Sequence, residues 1–250
     1  MNTSRLISFA AAVMLCAGPQ NLSAQHTMVL LSSDRDIQKA RPSSDEIRIS
    51  HLPIESYPKL AKFHNLQRID FATYDGTGGT DEKLQALTKV GFTNVSDICL
   101  LNSPLVTDKG IESLAQLPAL RSLQLEGTSI TDTGCKTLAS KRSATGVNVA
   151  HCTNVTLKGI LELSRSETLD GLSFSYRGLS QNDVIRVIGE LRHAKWCQIV
   201  DPDGELDADV LKRVEAERGV TVVLHPQGAL RTLLGEKPRP WTPKDRQNRP

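Results

Sequence analysis

Aromatic residues are scarce, at 4% of 250 residues. A stacking platform for single-stranded nucleic acid, or a polysaccharide cleft lined with Trp and Tyr, needs several exposed rings and is not expected. Excess charge is also small. The formal net charge of +2 does not suggest duplex-DNA binding by charge alone. The N-terminal apolar run, Leu6 to Ala17, is too short to cross a hydrocarbon core of ~30 Å as a helix. Five cysteines are present, but no two form a C-x-x-C pair, so redox or zinc chemistry has no local support. The remainder, 39% hydrophobic and 23% charged, is that of a soluble globular chain with a sizeable core.

The first segment reads as an address. Arg5 precedes the short apolar run, Gly18 and Pro19 break it, and Leu22-Ser23-Ala24 offers a small residue before a cut. This is the pattern of a cleaved secretory signal over residues 1–24. A lipoprotein motif needs a small residue before Cys16, and Leu15 stands there. Without the signal, the body from Gln25 to Leu224 carries a net −3 and the segment from His225 to Pro250 a net +4. The expected location is secreted or periplasmic, with no stable membrane insertion after cleavage.

The middle of the chain repeats. Leu120, Leu123 and Leu125 form an apolar-x-x-apolar-x-apolar pattern that recurs at Leu66-Ile69-Phe71, Val95-Ile98-Leu100, Ala144-Val147-Val149, Leu169-Leu172-Phe174, Ala194-Cys197-Ile199 and Gly219-Val222-Leu224. An earlier copy ends at Ile47 and Ile49. The last apolar positions are separated by 22, 29, 25, 24, 25, 25 and 25 residues. In the third unit Leu101 competes with Leu100 for the last position. Between the copies, Thr107-Asp108-Lys109-Gly110 matches Thr131-Asp132-Thr133-Gly134, and Asn154 to Leu163 and Gly178 to Ile188 follow the same plan. The alternating apolar pair predicts a short strand. Thr and Asp are helix N-cap types, and the apolar spacing behind them predicts a helix with one buried stripe. One strand and one helix cannot bury their own apolar face, whereas stacked copies can.

These phrases resemble the leucine-rich repeat family over about Glu46 to Leu224, and most of all its cysteine-containing subtype, with Leu125-Glu-Gly-Thr-Ser-Ile-Thr-Asp and Val149-Ala-His-Cys152-Thr-Asn. The family's turn position, usually Asn or Cys, holds Thr128, Cys152 and more loosely Ser103, then Arg177 and Pro202. The resemblance implies an α/β solenoid or horseshoe with about eight short parallel strands on its concave face and helices on its convex face. Around the repeat domain of residues 46–224, residues 25–45 read as a polar leader or partial N-terminal cap. Residues 225–235 read as a C-terminal cap, because Leu230, Leu233 and Leu234 can fold against the last repeat. Residues 236–250, with four prolines and a basic excess, read as a disordered tail.

The outward strand positions are the candidate contact surface: Arg48, Asp70, Cys99, Gln124, Asn148, Ser173, Gln198 and Val223. Gln124, Asn148, Ser173 and Gln198 form an uncharged hydrogen-bonding run, with Trp196 on the same face and Arg68, Asp97 and Glu126 adding charge. A protein or cell-surface polymer would use the aromatic as anchor and the amides for direction. The plainer alternative is a solvated sheet face. Cys99, Cys135, Cys152 and Cys197 read first as buried thiols, although secretion also permits disulfides.

Chemistry is not legible. The acidic run Asp201 to Asp209 has Gly204 and Lys212 where a calcium loop wants other residues, and so reads as a turn and a helix start. Asp75-Gly-Thr-Gly-Gly-Thr80 lacks the context of a phosphate cradle and reads as the long loop of the 29-residue unit. The six histidines show no catalytic spacing, and neither flank has room for a catalytic domain. No metal or cofactor is expected. The expectation is a secreted, non-enzymatic binding or scaffolding protein. An accessory subunit of an exported enzyme is the alternative, and an autonomous hydrolase or transferase a more distant one.

Overall fold

The period-2 pattern places Leu123 and Leu125 on the buried side of a strand, both at 0% exposure, with Gln124 between them on the opposite face. The same logic holds unit after unit and yields one sheet. The computed structural model describes residues 28–73, 75–201 and 204–225. The proposed signal, residues 226–235 of the proposed C-terminal cap and the proposed basic tail lie outside the described residues.

Nine strands pair in chain order, all parallel: β1 (Val29–Leu31), β2 (Glu46–Ile49), β3 (Arg68–Asp70), β4 (Asp97–Cys99), β5 (Ser122–Gln124), β6 (Gly146–Asn148), β7 (Gly171–Ser175), β8 (Trp196–Val200) and β9 (Thr221–His225). The expected number was about eight. The difference is β1, a strand in the segment read as leader or cap, which pairs Leu31 with Ile49. Its Leu31 stands 18 residues before Ile49, closer than any other pair of units, so the repeat period does not reach it in sequence. In the third unit Ile98 pairs with Leu123, which settles the register on Leu100. Leu101 is also buried.

Between the strands run α1 (Asp34–Lys39), a 3-10 helix (Ile54–Lys62), α2 (Asp81–Lys89), α3 (Asp108–Leu114), α4 (Asp132–Ser140), α5 (Leu157–Ser164), α6 (Gln181–Glu190) and α7 (Ala208–Arg218). The shortest repeat spacing uses the 3-10 segment, which contains Pro58. Each α-helix starts behind a Ser, Thr or Asp whose side chain accepts a backbone N–H of its first turn. Consecutive helices pack side by side, so each unit touches chiefly its neighbours. The architecture is an α/β repeat solenoid with its core between sheet and helices. No helix among the described residues is long and apolar enough to cross a membrane.

The Thr-Asp-x-Gly phrase does more than cap its own helix. Asp108 opens α3, yet its Oδ1 accepts from the backbone N–H groups of Thr131 (2.8 Å) and Gly134 (3.0 Å) in the next unit. Its Oδ2 accepts from the Thr131 hydroxyl at 2.6 Å. Asp81 does the same to Thr107 and Gly110, and Asp132 to Thr156 and Gly159. Glycine is needed for room, since a Cβ on Gly134 would lie 2.5 Å from Asp108 Oδ1. At the other helix end, Lys141 Nζ donates to the carbonyls of Ala115 and Leu117, tying α4 to the end of α3.

Candidate functional site

Parallel pairing in register turns the outward strand positions into rows. Gln124 sits beside Asn148, Asn148 beside Ser173 and Ser173 beside Gln198, each one strand spacing of ~4.8 Å from the next. Trp196 pairs with Gly171 on the adjacent row. The five candidate residues therefore share one patch over β5 to β8, but they are not equivalent within it.

Gln124 and Asn148 are engaged internally. Asn148 Nδ2 donates to Gln124 Oε1 at 2.9 Å and to Glu126 Oε2 at 3.3 Å, while Asn148 Oδ1 accepts from the Ala150 N–H at 2.9 Å. Glu126 is buried, and its Oε1 lies 3.7 Å from His151 Nε2. The charges that read as scattered along the strands are also matched. Arg48 donates from Nε and Nη2 to the fully buried Asp70 carboxylate, at 3.1 and 2.6 Å. Asp70 in turn accepts from the Ala72 N–H, as Asn148 does from Ala150. Arg68 Nε lies 3.3 Å from Glu46 Oε1, an ion pair without hydrogen-bond alignment. Such pairs spend the polar capacity of the face on its own order.

The far end of the row differs. Ser173 is 1% exposed, and its Oγ is buried without a hydrogen-bond partner. Gln198 is 8% exposed, and its amide makes no hydrogen bond among the described residues. Trp196 is half-buried, with its indole laid across Gly171, where a Cβ would come within 1.9 Å of Cε2. The absence of a side chain at Gly171 seats the ring on the sheet. An unpaired buried polar group costs about 1–3 kcal/mol, and the Ser173 hydroxyl carries that cost here.

Two features escaped the sequence. The residue two past the last apolar strand position takes a left-handed backbone, at His51 (φ 57°), Asn102 (φ 56°) and His151 (φ 55°) as well as at Gly127. Asn and His tolerate this conformation better than most side chains, and their recurrence at one repeat position was the available signal. The turn brings His51 to a carboxylate. Its Nε2 lies 3.1 Å from Asp75 Oδ2 and 3.3 Å from Thr77 Oγ1, with Ser50 Oγ 2.9 Å from Nδ1. Asp75 is held below the usual carboxylate range first by the Thr77 N–H, then by the Thr73 and Thr77 hydroxyls and His51. The His51 and Asp75 side chains are 61% and 52% exposed, and they tether the glycine-rich loop to the preceding turn. Lys83 holds the same loop by donating to the Thr77 and Gly78 carbonyls.

Cys99, Cys135, Cys152 and Cys197 are buried thiols not joined in disulfides among the described residues. Burial pushes Cys152 up to about 11 and Cys197 up to about 12, and raises Cys135 as well, so all three stay protonated at neutral pH. Cys152 at the turn position donates to the Leu125 carbonyl at 3.0 Å and lies 3.4 Å from the Thr128 hydroxyl. The acidic run forms the expected helix start, and the expected Pro-Asp-Gly turn falls in part on residues outside the described ones. Asp201 accepts from Gly204 and Leu206, and Asp207 caps α7. Pro202 and Asp203 lie outside the described residues. No group of three or more His, Cys, Asp or Glu side chains among the described residues is placed to hold a metal ion.

No family model and no curated protein matches the chain. Solved structures similar to it include the Rad7 and Elc1 complex of yeast, at 14% identity and a TM-score of 0.36 over 90% of this chain and 88% of that one. An internalin, InlF, of Listeria monocytogenes aligns at 13% identity and a TM-score of 0.33 over 86% of this chain. The chain spans 58% of that internalin's length. The likenesses are slight, and the architecture rests on the strand order and register themselves.

Proposed function

We propose that the chain is an exported, non-enzymatic binding scaffold of the leucine-rich repeat kind, and that its partner docks on the concave face over β7 and β8. The observation that carries this reading is the unpartnered group of Ser173 and Gln198 beside the half-buried Trp196 ring. Arg48–Asp70 and Gln124–Asn148–Glu126 bind their polar groups to one another, whereas this patch sets an aromatic anchor beside the Gln198 amide and the buried Ser173 hydroxyl, neither of which is engaged among the described residues. A partner that filled those hydrogen bonds while covering the ring would gain both polar and apolar contact energy. The patch is uncharged, which favours a neutral polar segment of a protein. The expected export rests on the signal pattern of residues 1–24.

The test is a crosslinking pulldown from the exported fraction with mature protein. A Trp196→Ala/Gln198→Ala variant should lose the captured partner, while Gln124→Ala should keep it. Retention by the double variant would move the contact elsewhere. Terminal sequencing of the exported protein should begin near Gln25, and an intact Met1 on protein held inside the cell would defeat the export reading.

A further inference from the structure

The seams between helices are not all closed in the same way. Asp81, Asp108 and Asp132 each clasp the Thr and Gly of the following unit. At the next seam both halves of the clasp are missing. Leu157 stands where Asp132 stands one unit earlier, and Asp183 stands where Gly159 does. A carboxylate at the glycine position could not be packed against an Asp at the clasp position. Asp183 turns instead to its own helix end, where its Oδ2 accepts from the Ser180 N–H at 2.8 Å and the Ser180 hydroxyl at 2.7 Å.

The unclasped seam is open. A cleft of about 670 Å³ lies between the units of α5 and α6, within the range of about 300–1,000 Å³ usual for small-molecule sites. The partly exposed Val155, Leu157 and Leu179 give it apolar walls over the buried Ile160 and Phe174, and Arg177 and Asp183 stand among its polar lining residues. The Asp183 charge is satisfied by the Ser180 cap, and His151, also lining the cleft, lies against Glu126. Arg177 is exposed and makes no hydrogen bond or ion pair among the described residues. The available cation therefore adjoins an apolar slot.

We propose that this cleft binds a small amphiphilic anion, with its apolar body between α5 and α6 and its carboxylate or sulfonate on the Arg177 guanidinium. The site is separate from the contact proposed at Trp196 and Gln198, and the two stand or fall independently.

The test uses the full chain and defined probes. 1-Anilinonaphthalene-8-sulfonate is titrated by fluorescence, and decanoate is titrated as its competitor and by calorimetry. The expected result is saturable binding of one probe molecule, displaced by decanoate and not by decanol at the same concentration. Arg177→Ala, a change at an exposed residue, should weaken decanoate binding at least about tenfold, the scale of one charge-assisted contact. The double change Leu157→Asp/Asp183→Gly rebuilds the clasp and should abolish binding while raising the unfolding midpoint. Unsaturable binding, equal competition by decanol, or decanoate affinity unmoved by Arg177→Ala would each overturn the proposal. Trp196→Ala should leave decanoate binding unchanged, and a loss there would place the probe on the concave face and likewise overturn it.

Discussion

Asp108 reaches across a seam to two backbone N–H groups and a hydroxyl, so its removal strands donors in the neighbouring unit. Asp108→Ala should cost about 2–4 kcal/mol in urea denaturation, and Asp108→Asn less, because the amide keeps one acceptor oxygen. Gly134→Ala tests the same contact from the other side. In an open helix the change gains up to about 1 kcal/mol, but here the new Cβ would meet Asp108 Oδ1 and the sign should reverse. Gly189→Ala, with nothing within 4 Å of its added Cβ, is the control that should stabilise. The strand register is tested at Leu125 and Gln124. Leu125→Ala should cost about 2–5 kcal/mol. Gln124→Ala should cost about 1 kcal/mol or less, for it removes only one acceptor of Asn148. Equal losses would contradict the register. The buried thiols at Cys99, Cys135, Cys152 and Cys197 should resist iodoacetamide at pH 8 in the folded protein and label in urea, as read by mass spectrometry.

At the scale of elements, several carboxylates are spent on helix starts and one loop. Asp34 is held low first by its hydrogen bond to Lys59, Asp36 by the Ser32 N–H, Asp75 by the Thr77 N–H and Asp183 by the Ser180 hydroxyl. A carboxyl group whose folded pKa lies below its unfolded value stabilises the fold above that unfolded value, about 3.9 for Asp. The contribution fades as pH falls through the folded pKa. The carboxylates' share of the unfolding midpoint should therefore hold from neutral pH to about 4 and fade below it, following an earlier decline below about 6.5 from His225, whose pKa burial lowers, and Asp183→Asn should make the low-pH decline shallower. A midpoint that rises on acidification would show that these hydrogen bonds are not made in solution. Asp75 belongs to the same account, because its hydrogen bonds fasten residues 75–77 to His51. That loop is long in sequence yet tethered at its start by His51 and further on by Lys83.

For the whole molecule, near-neighbour packing means that a unit can be removed without unpicking the rest. Deleting residues 131–155 would bring Asp108 against Thr156 and Gly159, which match Thr131 and Gly134 in type and spacing. The shortened chain should keep its far-UV circular dichroism per residue and unfold cooperatively. Collapse to an unfolded chain would show that the seam geometry is particular to each pair of units. The same deletion across the unclasped seam has no matching acceptor and should be tolerated less well.

The sequence by itself determined the strand register in every unit but the third, where Leu101 competed with Leu100, because the side chains of a strand alternate with period 2 and the other apolar pairs from Ile69-Phe71 to Cys197-Ile199 leave one buried arrangement. It also determined the helix starts, since Thr and Asp cap from within their own turn. With the parallel stacking that the leucine-rich repeat resemblance implied, the row of Gln124, Asn148, Ser173 and Gln198 followed from those two facts. Tertiary structure decided how each residue is used. Whether Asn148 faces a partner or Glu126, and whether Trp196 stands free or lies on Gly171, depends on the neighbouring strand's side chain, which no local pattern specifies. The Asp108 clasp, the His51–Asp75 tether and the Arg48–Asp70 pair join residues 22–26 positions apart. One turn of the solenoid is what brings such positions together, so their partners appear only once the chain is wound. The cleft at Leu157 came from the same source: Leu157 in place of an Asp and Asp183 in place of a Gly look like drift in sequence and become an open seam in the stacked fold.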